Sequence, residues 1–193
     1  SWIILAISFC SIIAAGIAMA SSGVFLTPFE QEFGWNRQVI SLAFGISLFF
    51  YGFAGPFMAA LLQKFGLKKM MLASMGTLLI GLLLIFLMNQ SWQLIIIWGA
   101  IIGLGSSLFL TVLSPYVANH WFKEKRGLAT GILTASTAMG QLILLPVLAT
   151  IIENYSWRWA VGLIITISVV MFFIIFLFMR NTPKEIGILP YGQ

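Results

Sequence analysis

Thr130, Thr134, Thr137 and Gln141 stand at intervals of four, three and four residues in an otherwise apolar run. At about 3.6 residues per turn they share one helical face, a line of hydroxyls ending in a primary amide, with donors and acceptors but no charge. Gly127, Gly131 and Ala135 form the adjacent face, where another backbone can approach closely. A second run carries Gly103, Ser107, Thr111 and Ser114 in a comparable stripe. Ser11, Tyr51, Ser106, Ser107 and Gln141 each fall near the middle of a long apolar run, so on membrane-crossing helices they would lie at one depth. Together with Thr111, Thr134, Thr137 and Tyr116, which follows Pro115, they form the candidate substrate-binding and cavity-lining set.

Such a set can hold a solute by neutral hydrogen bonds. Catalysis by a hydroxyl needs a neighbouring base, and none accompanies Ser136-Thr137 or the similar pairs. No catalytic residue, metal-ligand cluster or cofactor motif is read, so the chain is not expected to be an enzyme. The plainer reading of each serine or threonine is a bond to a carbonyl one turn back, which helps helices pack. For Gln141 it is an interhelical hydrogen bond, and for Tyr51 ordinary packing. His120, the sole histidine, lies beside Trp121 and three basic residues, where a loop or headgroup contact is expected rather than a proton relay.

The elements that must position these groups are six apolar runs, read near residues 2–26, 38–62, 70–88, 93–118, 128–152 and 160–179. Hydrophobic residues make up 61% of the chain, charged residues 8%, and the mean hydropathy is +1.06. A water-soluble domain of this length is excluded, and the fold class is an all-α polytopic membrane protein with six transmembrane helices. The net charge of +5 is an orientation signal rather than a mark of a nucleic-acid partner. With Ser1 on the cytoplasmic side, the inner loops and tail hold Lys64, Lys68, Lys69, Lys123, Lys125, Arg126, Arg180 and Lys184, and the outer loops only Arg37 and Arg158. That bias places both termini in the cytoplasm of a multi-pass protein of the cell membrane, with the basic clusters against anionic lipid. Trp35, Trp92, Trp157 and Trp159 at one side, and Trp2 and Trp121 at the other, are expected to be interfacial anchors, with Trp98 deeper. Cys10, the single cysteine, is expected to be a small buried apolar residue. The first run is too long for a signal-peptide core, and a start inside apolar sequence without Met is expected of a fragment.

Ser41-Leu42-Ala43-Phe44-Gly45-Ile46 near the second run resembles Gly127-Leu128-Ala129-Thr130-Gly131-Ile132 near the fifth, at an offset of 86 residues. Trp35 matches Trp121 and Arg37 matches Lys123 at the same offset, and Ser21-Ser22 matches Ser106-Ser107 at 85. Phe65-Gly66-Leu67-Lys68-Lys69 before the third run likewise resembles Tyr155-Ser156-Trp157-Arg158-Trp159 before the sixth. A repeat of three spans enters the membrane from the opposite side the second time. The expected organisation is therefore a bundle over 1–179 built from inverted repeats 1–88 and 93–179, followed by the start of a cytoplasmic loop at 180–193. Inverted three-helix repeats point to alternating access with substrate bound near the midplane. Spans 3 and 6 are almost uniformly bulky and apolar, so they are expected against lipid, with spans 1, 2, 4 and 5 around any cavity.

Several motifs carry a resemblance: Gly34-Trp35-Asn36-Arg37 before span 2, Trp121-Phe122-Lys123-Glu124-Lys125-Arg126-Gly127-Leu128-Ala129-Thr130-Gly131 into span 5, Ser156-Trp157-Arg158-Trp159 before span 6, and 183–192 after it. On these the chain resembles the amino-terminal half of a major facilitator superfamily transporter, within it the monocarboxylate and oxalate:formate exchanger group. The family's loop between spans 2 and 3 maps onto Ala59, Gln63, Lys64, Gly66, Leu67 and Lys68, with Lys69 following. The resemblance implies a gating loop at Gln63, Lys64, Gly66 and Lys68, although the usual acidic member is missing. Gly99 stands near the place of the span 4 arginine of proton-coupled drug exporters. The resemblance further implies a secondary transporter of a small organic anion, a mono- or dicarboxylate, working as symporter or antiporter with a coupling proton or an exchanged anion. No ionisable residue lies at membrane depth in this half, so a basic residue of the missing carboxy-terminal half, or a second copy, is expected to neutralise the substrate. A drug or neutral-solute porter and a non-transporting scaffold or sensor subunit are the alternatives.

Overall fold

The computed structural model describes residues 2–87 and 91–179, side chains at positions 22, 23, 91, 110 and 111 excepted. Met88, the tail at 180–193 and the side chain of Thr111 therefore lie outside the described residues. The first span is two helices, α1 (Trp2–Ala20) and α2 (Ser22–Phe33), broken at Ser21, whose hydroxyl donates to the Ala18 carbonyl at 2.7 Å. Helix was expected to stop near residue 26, and it continues to Phe33 because Phe25, Phe29 and Phe33 recur every fourth residue. Phe25 and Phe29 are fully buried, and Phe29 meets Trp98 and Trp157 edge-on at centroid distances of 6.5 and 5.0 Å. Gly34 ends α2 in the left-handed region at φ +67°, its N–H donating to Glu30.

Asn36 then caps α3 (Arg37–Phe65) by accepting from the Gln38 N–H at 3.0 Å. Only Gly66 separates α3 from α4 (Leu67–Phe86), at φ +93° and ψ 162°. That conformation is open in practice only to glycine. Gly66→Ala is therefore expected to cost about 1–3 kcal/mol, read as a lowered unfolding temperature in detergent, with no change where Gly76 becomes alanine.

Span 4 was expected as one α-helix, and its hydrogen-bonding pattern alternates instead. It runs as α5 (Ser91–Leu94), a π-helical stretch Ile95–Ile102, α6 (Gly103–Ser107), a second π-helical stretch Leu108–Val112, and α7 (Leu113–Trp121). This span is squeezed between two neighbours through glycines. A Cβ at Gly103 would stand 2.8 Å from the Ser47 carbonyl oxygen of α3, and one at Gly105 2.9 Å from the Leu78 nitrogen of α4. Two backbones touch it on opposite sides, which only residues without a side chain permit. The chain closes with α8 (Arg126–Asn154) and α9 (Trp157–Phe178).

The central span α1 packs on α8, α9 and span 4, while α3 packs on span 4, and α4 on α9 and span 4. The core is continuous through Ile12, Ala14, Ala15 and Ala18 of α1, Trp98, and Ile164 of α9. Two expectations are corrected here. Trp121 and Trp157 are buried among other side chains rather than standing at the interface, whereas Trp2, Trp92 and Trp159 are exposed. Cys10 is exposed, because α1 turns its other faces to three neighbours at once. Of the long helices α8 is the least buried, and α4 and α9 cover part of each other.

Candidate functional site

A recess of about 340 Å³ opens between α1, α3 and α8. Gly16, Met19 and Ala20 of α1 floor it, Leu48 and Tyr51 come from α3, and Thr137 and Gln141 from α8. Tyr51 is the middle residue of α3, fourteen from either end, and Gln141 lies one residue past the middle of α8. The recess is thus at mid-depth of the two longest helices. Among the described residues no carboxylate, amine, guanidinium or imidazole lines it, and its polar surface comes from a phenol, a hydroxyl and an amide.

Two contacts set the helices that carry these side chains. The Ser107 hydroxyl donates to the Tyr51 backbone carbonyl at 2.9 Å, tying α3 to span 4 where the tyrosine enters. Beside Gln141, Gly140 lets α8 approach α1 so closely that a Cβ would sit 3.0 Å from Ile13 Cγ2. Among the described residues the Tyr51 hydroxyl, the Thr137 hydroxyl and the Gln141 amide have no protein hydrogen-bond partner, and all three residues are half-buried. Polar groups that protein packing leaves unsatisfied in a concavity are those a solute can use.

The other expected lining residues are elsewhere. Ser11 and Ser106 are fully buried and bond carbonyls of their own helices, Ser11 to Ile7 at 2.8 Å and Ser106 to Ile102 at 2.8 Å. Ser107 is buried and spends its proton on Tyr51. Thr134 is exposed on α8 and Thr130 half-buried, outside the recess. Tyr116 stacks on His120 at 3.9 Å between ring centroids near the end of α7, and His120 Nδ1 lies 2.9 Å from the Tyr116 carbonyl. Gln63 and Lys64 are exposed at the end of α3, Gly66 makes the turn, and the Lys68 amine lies 5.4 Å from the Phe176 ring. Thirteen residues of helix put Lys64 roughly 20 Å from Tyr51, so this loop does not reach the recess.

A tie that sequence reading missed joins α2 to α9. The Glu32 carboxylate accepts from the Trp157 indole N–H and from the Arg158 guanidinium. On the same side Arg37 forms a two-pronged pair with Glu30 at 3.0 and 3.1 Å, which raises the Arg37 pKa first through that hydrogen bond and then through the carboxylate charge. The motif Ser156-Trp157-Arg158-Trp159 was the available signal, but its acidic partner is 125 residues away. Glu32→Leu is expected to cost about 1–3 kcal/mol because it orphans the buried Trp157 N–H. Glu32→Gln keeps an acceptor and is expected to cost less, both read by thermal unfolding.

The apolar helices thus keep an uncharged polar recess at mid-depth, facing outward beside the exposed surface of α8. The family model of the Major Facilitator Superfamily matches residues 7–191, and the chain belongs to that superfamily. Its relatives include the MFS-type transporter eupM of Phoma sp, 26% identical over 169 residues covering 86% of this chain and 59% of the relative. The uncharacterized MFS-type transporter YcxA of Bacillus subtilis (strain 168) is 25% identical over 81% of this chain and 38% of its own length. Monocarboxylate transporter 13 of Rattus norvegicus is 25% identical over 86% of this chain and 38% of its own. The chain thus spans from about two fifths to three fifths of the length of these curated relatives.

Proposed function

We propose that this chain is the amino-terminal half of a secondary transporter that moves a small organic anion by alternating access, with both termini cytoplasmic. The observation that carries the reading is the trio Tyr51, Thr137 and Gln141, three neutral groups without protein partners around one mid-depth recess. They hydrogen-bond the carboxylate, and a basic group of the second half or of a second copy faces them to balance its charge. The broad exposed faces of α3 and α8, with open glycines at Gly45, Gly52, Gly127 and Gly131, are the surfaces turned to that second bundle. The packing pattern supports the inverted repeat: exchanging span 1 with 4, 2 with 5 and 3 with 6 turns the α1–α8 contact into that of span 4 with α3. The same exchange maps α1–α9 onto span 4 with α4 and leaves α4–α9 unchanged.

The test is competition for transport by the intact protein. Inhibition by oxalate, formate or lactate is the expected outcome. An uncharged lining also suits a drug or neutral-solute porter, and inhibition by neutral solutes alone would select that reading. Absence of any transport by the intact protein would favour a scaffold or sensor subunit.

A further inference from the structure

A second concavity, larger than the recess, lies away from it. A groove of about 830 Å³ runs down the outside of α9 from Arg158 and Trp159 past Gly162 and Leu163 to Thr166, walled by Ile151 and Tyr155 of the end of α8 and by Phe86 of α4. It starts on the face opposite the lysine clusters. Eight residues of helix from Arg158 to Thr166 make it about 12 Å deep, against roughly 15 Å for one leaflet of a hydrocarbon core about 30 Å thick.

Its chemistry changes along that depth. The exposed rings of Tyr155 and Trp159, 6.2 Å apart, stand at the rim, where interfacial aromatics belong. Below them Thr166 is the only hydroxyl among the described lining residues, and it donates to the Gly162 carbonyl at 2.9 Å, so the lower groove is apolar. Arg158 supplies the charge at the top. Its guanidinium lies 4.6 Å from the Trp157 ring, and one of its donors is used by Glu32. The remaining donors of the planar fork are available for a phosphate oxygen. The floor is open at Gly162, where a Cβ would meet nothing within 4 Å.

We infer that this groove is a binding site for one glycerophospholipid, with an acyl chain lying along α9 over Gly162 and the phosphodiester on Arg158. An apolar trough of one-leaflet depth capped by a cation is complementary to that amphiphile. A solute that is charged throughout finds no partner in the lower trough, and a hydrocarbon alone leaves the donors of Arg158 not taken by Glu32 unused.

Native mass spectrometry of the intact, delipidated protein titrated with phosphatidylglycerol tests this, using diacylglycerol of the same chains as the phosphate-free comparison. The expected result is one retained phosphatidylglycerol, with diacylglycerol held about tenfold more weakly, the worth of one charge-assisted hydrogen bond. Gly162→Phe fills the floor and is expected to remove that lipid, while Ile80→Phe, at an exposed position on α4 outside the groove, leaves it in place. Because Arg158 also holds Glu32, Gly162→Phe is the decisive variant, checked for an unchanged unfolding temperature. Unaltered lipid retention by Gly162→Phe, or equal retention of diacylglycerol and phosphatidylglycerol, overturns the inference.

Discussion

Gly103→Ala is expected to lower the unfolding temperature of the protein in detergent by several degrees, and Gly103→Leu to prevent recovery of a folded bundle. The added Cβ would stand 2.8 Å from the Ser47 carbonyl oxygen and 3.1 Å from Ser47 Cα. Backbone cannot rotate away as a side chain can, so α3 and span 4 must separate. Overpacking of this kind costs about 1–3 kcal/mol for a small addition, a large share of the ~5–15 kcal/mol by which folded proteins are stable. Separation also breaks the Ser107 bond to Tyr51 and so disturbs the recess. Gly76→Ala is the comparison, because its Cβ would make an ordinary 3.7 Å contact with Phe172. An equal effect of the two substitutions would mean that span 4 does not depend on close backbone approach.

Gln141→Leu and Tyr51→Phe are expected to weaken apparent substrate affinity by about tenfold or more each while leaving folding intact. A hydrogen bond to a charged ligand contributes about 1.5–3 kcal/mol, and each 1.4 kcal/mol is a factor of ten. Stability should hold because, among the described residues, neither group bonds to protein, so truncation orphans no buried donor or acceptor. The pair of readouts separates ligand contact from packing. An interhelical role would lower the unfolding temperature first, and unchanged affinity in both variants would remove these residues from the site.

The shared face of Thr137 and Gln141 was legible in the sequence, because an uninterrupted helical period over Arg126–Asn154 leaves little freedom in where they lie. So was the depth of Tyr51, set by the length of the apolar run. The roles of Ser11, Ser106 and Ser107 were not, since a serine in a helix has the same spacing whether it faces a cavity or bonds back to its own turn. Gly16 and Ala20 floor the recess through what they lack, and small residues in apolar runs carry no mark of which neighbour they admit. The Glu32 tie escaped because it depends on α2 continuing to Phe33, and the stripe of Phe25, Phe29 and Phe33 that extends it reads as helix only when weighed against the polar residues between. Trp121 and Trp157 looked interfacial by position, but local helix packing buried them.

The most direct measurement is sided labelling of a cysteine placed at Thr137 in the intact protein, in a background with its other cysteines removed, Cys10→Ala included. Membrane-impermeant thiol reagents would be applied from each side, with and without oxalate or formate. A mid-depth recess that alternates is expected to react from both sides, with the anion slowing or redistributing the reaction. A residue 137 thiol inert from both sides and indifferent to every anion would contradict an alternating pathway through Tyr51, Thr137 and Gln141.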